Sequence, residues 1–125
     1  MNPFLRKLLP SPLYVQLFRN KLVIQNPSDG KTVVKESSFS HPRMLVGEFE
    51  MAESLLKTGI QEIYAGHFLT PRPQVIMHPK EVLEGGLTMI EQRVLQEMAL
   101  GAGARQAKVW LGADLSKEEA ENFTF

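Results

Sequence analysis

The stretch from Leu87 to Arg105 constrains the fold more than any other part of the chain. It carries a helix start, a helical period and a helix stop in one run. Thr88 and Glu91 form a T-x-x-E capping box, in which each side chain satisfies a backbone donor that the first turn leaves free. Ile90, Val94, Leu95, Met98, Ala99 and Ala102 recur at three- and four-residue steps, so they share one helix face. Gly101 and Gly103 supply the stop, because glycine adopts the left-handed conformation that ends helices. The run Ala107 to Leu111 follows at once and reads as a strand.

The preceding sequence alternates in the manner of strands. Leu13 to Phe18 and Leu22 to Gln25 flank a tight polar turn, Arg19 to Lys21. Asn26-Pro27-Ser28-Asp29-Gly30 is a strong turn signal, and Lys31 to Lys35 is a third strand. These three consecutive strands predict an antiparallel meander. Phe49 to Tyr64 is a helix whose buried stripe is Ala52, Leu55, Leu56, Ile60 and Ile63. Gly59 lies within that stripe and reads as a place of close approach to a sheet, and Gly66 ends the helix. Gln74 to His78 is a near-continuous apolar run, as in a strand covered on both faces. Ser116 and Glu119 make a second capping box, opening a short helix to Asn122. The order βββαβαβα predicts a ribonuclease H-like, actin-like α/β fold, with a mixed five-stranded sheet and helices on its faces. The division expected is an amphipathic segment, residues 1–12, and a single domain, residues 13–125.

Composition narrows the functional classes. The chain has 125 residues, enough for one domain. It carries 14 basic and 14 acidic residues, so it lacks the basic excess that nucleic-acid affinity needs. The same neutrality gives little charge repulsion against self-association. There are no cysteines, which removes disulfides, thiol nucleophiles and thiolate metal sites. No apolar run approaches the roughly 18 residues that span a bilayer, and the start of the chain lacks the pattern of a signal peptide. A cytoplasmic protein is expected. Phe4, Leu5, Leu8 and Leu9 share one face of the N-terminal segment, opposite Arg6 and Lys7. Such a segment suits a peripheral contact with the inner membrane. The simpler reading is packing on its own domain or on a second copy. Each of the four side chains would yield roughly 1.5–3 kcal/mol on full burial, less the entropy of ordering the peptide.

The pattern T-x-x-E-x-R leading into E-x-x-x-x-G-A-G-A-R resembles the second helix of subdomain IA in the bacterial actin-like, rod shape-determining MreB family. It comprises Thr88, Glu91, Arg93, Glu97, Gly101, Ala102, Gly103, Ala104 and Arg105. Weaker similarity runs over about residues 13–112. The resemblance implies an IA-like unit of an actin-like ATPase, but the segment from Ser37 to Gly47 leaves no room for subdomain IB. The family's first hairpin carries a D-L-G-T phosphate loop. Here Gln16, Leu17, Phe18 and Arg19 stand in its place, so a carboxylate has become an amide and a glycine a phenylalanine. Just after the fifth strand, where the family has carboxylates, this chain has Leu111 and Gly112, with Asp114 nearby. The resemblance therefore implies a degenerate domain, with no nucleotide cofactor and no catalysis.

Other site chemistry is weakly signalled. A nuclease of this fold needs converging carboxylates around metal ions, beginning on the first strand, where Gln16 stands. Asp114 with Glu118 or Glu119 reads more simply as partnering a helix dipole. His41, His67 and His78 show no metal-ligand spacing, so no metal site is predicted. His78 falls at a strand end, where open α/β sheets bind ligands, though a hydrogen-bonded loop residue explains it as well. Gly85 and Gly86 precede the capped helix and suit either a phosphate cradle or a turn. Glu81 and Glu84 beside them oppose an anion.

The function expected is that of a non-catalytic, cytoskeleton- or cell-shape-associated binding protein. Its partners would be an MreB-type filament or a second copy of itself as a homodimer. The alternative is a small-molecule or phosphate-binding domain using His78, Gly85 and Gly86. Phe18, Phe39, Phe68, Phe123 and Phe125 are candidates for partner contact, with core packing the simpler reading for Phe18 and Phe68.

Overall fold

A computed structural model describes residues 10–42, 44–68, 71–81 and 87–125. Strands β1 (Leu13–Phe18), β2 (Lys21–Gln25) and β3 (Thr32–Glu36) come first, then helix α1 (Phe49–Ile63) and strand β4 (Gln74–Pro79). Helix α2 (Met89–Gly101), strand β5 (Gln106–Val109) and the short helix α3 (Lys117–Glu121) complete the order. The sheet runs β3-β2-β1-β4-β5. β1 pairs antiparallel with β2, and β2 with β3, while β4 lies parallel to both β1 and β5. This is the ribonuclease H-like, actin-like sheet.

Local chemistry explains the meander. A two-residue turn joins β1 to β2, and Asn20 takes a left-handed φ of 58°, which asparagine tolerates better than most side chains. Asn20 also clamps the following loop. Its N–H donates to Ser40 Oγ at 2.9 Å, and its Oδ1 accepts from the Ser40 N–H at 2.8 Å. At the second turn Asn26 is buried, and its Oδ1 accepts from the backbone N–H and hydroxyl of Ser28. Gly30 supplies the positive φ of 76° that lets the chain reverse there.

Strand alternation divides the core in two. One face carries Leu13, Val15, Leu17, Leu22, Ile24, Val75 and Met77, and packs against Ala52, Leu56, Ile60 and Ile63 of α1 and Leu95, Met98 and Ala99 of α2. On the other, Tyr14 and Ile76 meet Ala120 of α3, backed by Trp110, Leu115, Phe123 and Phe125. β4 is buried on both sides, from Val75 to Pro79, as its apolar run predicts. Both capping boxes form, with Thr88 Oγ1 accepting from the Glu91 N–H at 3.1 Å and Ser116 Oγ from the Glu119 N–H at 3.1 Å.

Several expectations change at the level of single residues. Ile90 is 78% exposed, because the first turn of α2 projects beyond the packed stripe that begins at Val94. Gly101 belongs to the helix, and Gly103 alone takes the left-handed φ, at 114°. A Cβ at Gly101 would meet the end of the Glu53 side chain, which can shift aside. Phe39 is fully buried in the main core rather than available to a partner. Phe68, expected in the core, is 99% exposed. Phe18 is half-buried, with the Lys21 ammonium 4.6 Å from its ring centre. Phe123 and Phe125 pack edge-to-face at 5.0 Å within the second cluster. Leu111 lies beyond the end of β5 and is exposed. Phe4, Leu5, Leu8 and Leu9 lie outside the described residues, as do Gly85 and Gly86.

Candidate functional site

The polar groups of the fold converge where β1 and β4 end and the chain leaves β5. Tyr14 and Gln16 lie two residues apart on β1 and point to one side of the sheet. The parallel register sets His78 of β4 beside Gln16. The loop after β5 then closes over them with Gly112, Asp114 and Leu115.

Donor and acceptor chemistry assigns the protons. His78 Nε2 lies 3.0 Å from the carbonyl oxygen of Gly112. A carbonyl only accepts, so Nε2 carries the hydrogen and donates it. In the neutral ring Nδ1 is then an acceptor, and the Tyr14 hydroxyl donates to it at 2.5 Å. The Tyr14 oxygen in turn accepts from the Leu115 N–H at 3.2 Å and from Gln16 Nε2 at 3.4 Å. The Tyr14 and His78 rings stack at 5.7 Å between centres. Protonating His78 would give Nδ1 a hydrogen and oblige the Tyr14 hydroxyl to turn away from it.

The electrostatics agree. Burial pushes the His78 pKa below its usual value, and the positive charge of Lys80 adds to that effect. The Gly112 carbonyl and the Asp114 carboxylate oppose the shift without reversing it. Asp114 accepts from the Lys80 ammonium, which holds its carboxyl below the usual range. The Asp114 side chain is 64% exposed, so water screens this pair and it contributes little to stability.

The turn between β1 and β2 forms the second part of the site. Of the four residues expected from the family resemblance to stand in place of a phosphate loop, Gln16 joins the Tyr14 network and Leu17 is fully buried in the main core. Phe18 lies under Lys21, and Arg19 reaches outward to donate its guanidinium to the His41 carbonyl at 2.9 Å. The backbone N–H of Arg19 donates to the carboxylate of Glu81, in the loop after β4.

The fold thus brings His78 and Gln16 together, adds Tyr14 and Leu115 as partners that the sequence did not single out, and gives Gly112 and Glu81 contacts, with His78 and Arg19, that the sequence did not foresee. Period-two alternation placed Tyr14 on the Gln16 face, and that signal was available. Nothing local pointed to the contact of Glu81 with Arg19 or of Gly112 with His78. Both ring nitrogens of His78 are engaged within the protein, so the residue fastens the loop after β5 to the centre of the sheet. Among the described residues no group of three or more His, Cys, Asp or Glu side chains converges to hold a metal ion. Among the same residues no helix is long and apolar enough to cross a membrane.

Similarity to known proteins agrees with the topology. No protein-family model matches the chain. It is 32% identical over 62 residues to the cell shape-determining protein MreB of Haemophilus influenzae, a match covering 50% of this chain but 16% of that protein. The corresponding figures for MreB of Escherichia coli (strain K12) are 31% over 62 residues, 50% and 17%. The relationship is therefore actin-like and confined to a small part of MreB. A match of different extent relates the chain to the uncharacterized protein YjaA of Escherichia coli (strain K12), with 30% identity over 97 residues. That alignment covers 74% of this chain and 76% of YjaA, and the chain belongs to the same family as YjaA.

Proposed function

We propose that this chain is a degenerate, non-catalytic actin-like domain whose nucleotide site is lost. On this reading it acts as a cytoskeleton- or cell-shape-associated binding protein in the cytoplasm. The observation that carries the reading is the contact between Glu81 and the β1–β2 turn. Phosphate-binding turns receive anionic oxygens on backbone N–H groups. In this turn the Arg19 N–H is satisfied by the protein's own carboxylate, whose charge repels phosphate. Three further features agree. Gln16 lacks the charge to manage a phosphate-bound cation, and Phe18 brings bulk where a close backbone approach needs glycine. Ser40 helps tie down the loop after β3, its hydroxyl donating to the Leu45 carbonyl at 2.5 Å.

The small-ligand alternative at the strand ends finds less support. His78 offers no free ring nitrogen, because Tyr14 and Gly112 take both.

Two measurements test the reading. Titration of the purified protein with ATP and magnesium, followed by calorimetry, should show no binding in the micromolar range; micromolar affinity would overturn the lost-site reading. Co-sedimentation with polymerised MreB should carry the protein into the pellet. Absence from the pellet at saturating filament would remove the filament as partner and leave self-association, read from the solution mass, as the remaining form of the proposal.

A further inference from the structure

A groove of about 750 Å³ runs between the outer face of α2 and the free edge of β5. Met89, Arg93 and Leu100 line it from the helix, and Arg105, Ala107 and Lys108 from the connector and strand. Met89 is 86% exposed and Leu100 41%, so the helix side presents apolar surface to solvent. The strand side presents backbone. β5 ends the sheet order, and the Trp110 N–H donates inward to the Met77 carbonyl at 2.9 Å. Strand groups alternate in direction, so Ala107 and Val109 turn their N–H and C=O groups outward, toward the groove.

The groove is also charged in one sense. Arg93 and Arg105 face a single carboxylate, that of Glu97, while Lys108 lines the groove near its backbone and holds its ammonium over Phe123 on the opposite face of the sheet. Neither the Arg93 nor the Arg105 guanidinium has a hydrogen bond or ion pair among the described residues, whose ion pairs are Lys35–Glu62 and Lys80–Asp114. We infer that this groove binds an extended acidic segment of a partner protein, which adds to β5 as a sixth strand and sets its carboxylates against Arg93 and Arg105. Strand addition supplies main-chain hydrogen bonds, and side chains at alternate positions supply specificity. A second copy is the wrong occupant for this edge, because pairing β5 with β5 would set the same two arginines against those of the other copy. Nucleic acid is disfavoured by the zero net charge of the whole chain.

The inference deepens the binding-protein reading and rests on it, but the experiments fail separately. ATP affinity would remove the lost-site reading without touching the groove, and a silent groove would leave the filament test standing. The probe is a fluorescein-labelled synthetic peptide alternating glutamate and valine, followed by fluorescence anisotropy. A peptide with lysine in place of glutamate is the control. The glutamate peptide should bind and the lysine peptide should not. Arg93→Glu with Arg105→Glu, both at exposed positions that leave the core intact, should weaken binding by about tenfold or more. Saturating peptide should slow hydrogen exchange at the Ala107 and Val109 amides. Equal binding of the two peptides, or an unchanged double variant, overturns the charge assignment. Binding without slowed exchange overturns the strand addition. No binding of the glutamate peptide overturns the inference as a whole, leaving the cations as guards of an edge strand against aggregation.

Discussion

At the scale of the residue, two buried polar side chains set the most direct tests. Tyr64 has a buried hydroxyl without a hydrogen-bond partner among the described residues. Burial, with the charge of Asp29 second, pushes its pKa up to about 12, so it is neutral at physiological pH. An unpaired buried hydroxyl costs about 1–3 kcal/mol. Tyr64→Phe should therefore raise stability by about 1 kcal/mol, read as a higher urea midpoint with an unchanged slope. His78 makes the opposite case, because its polar atoms are all paired. Its folded pKa lies below the usual histidine value, so the unfolded chain binds the proton more tightly. Stability is then full above the unfolded pKa of about 6.5 and falls as pH drops through it toward the folded value, by about 1.4 kcal/mol for each unit of displacement. Urea midpoints between pH 8 and pH 5, taken in about half-unit steps, should show this loss, and His78→Gln should flatten it. The depressed carboxyl of Asp114 also loses its contribution on acidification, but lower, in the carboxylate range, so the two windows separate.

At the scale of the element, the helices divide into features that a local pattern reports and features that it does not. The cap of α2 was legible because Thr88 and Glu91 satisfy backbone groups only three residues away. Thr88→Ala should cost about 0.5–2 kcal/mol, measured by thermal or urea unfolding. The exposure of Ile90 was not legible: helical period says which residues share a face, not how far along the helix the sheet extends. Gly59 shows where the two kinds of information meet. Its place in the α1 stripe suggested close approach, and the structure supplies the neighbour, since a Cβ there would overlap the fully buried side chain of Ile24. Gly59→Ala gains up to about 1 kcal/mol of helix propensity but overpacks the interface by about 1–3 kcal/mol. A net loss of about 1 kcal/mol is expected. Trimming the obstacle with Ile24→Val should recover part of it, and a double-mutant cycle would report the coupling.

At the scale of the whole molecule, the polar network depends on parallel pairing between β1 and β4, which β2, β3 and α1 separate in the chain. Tyr14 and His78 are 64 residues apart, and they meet because β1 and β4 pair in the register that sets Gln16 beside His78. The same holds for Glu81, which reaches the Arg19 N–H across 62 residues. This contact gives the lost-site proposal a structural handle. Glu81→Ala frees the Arg19 N–H, yet ATP should still not bind, because Gln16 and Phe18 remain. Calorimetry of that variant separates a site blocked by one carboxylate from one eroded at several positions; micromolar ATP affinity would show a site that Glu81 alone had closed.

The sequence by itself determined the eight elements, their order, both capping boxes and the burial of β4 on its two faces. Each of these follows from residues near one another in the chain, through alternation, helical period or a cap. Tertiary structure decided which side chains the elements bring together. Phe39 went to the core and Phe68 to the surface, although both sit in polar loops, because burial depends on what the rest of the fold lays over a loop. The proton arrangement of His78, the Glu81 carboxylate on the β1–β2 turn and the charged groove beside β5 arise in the same way. Each joins groups from separate elements, and strand register and helix placement, which no short stretch of sequence encodes, set their distances.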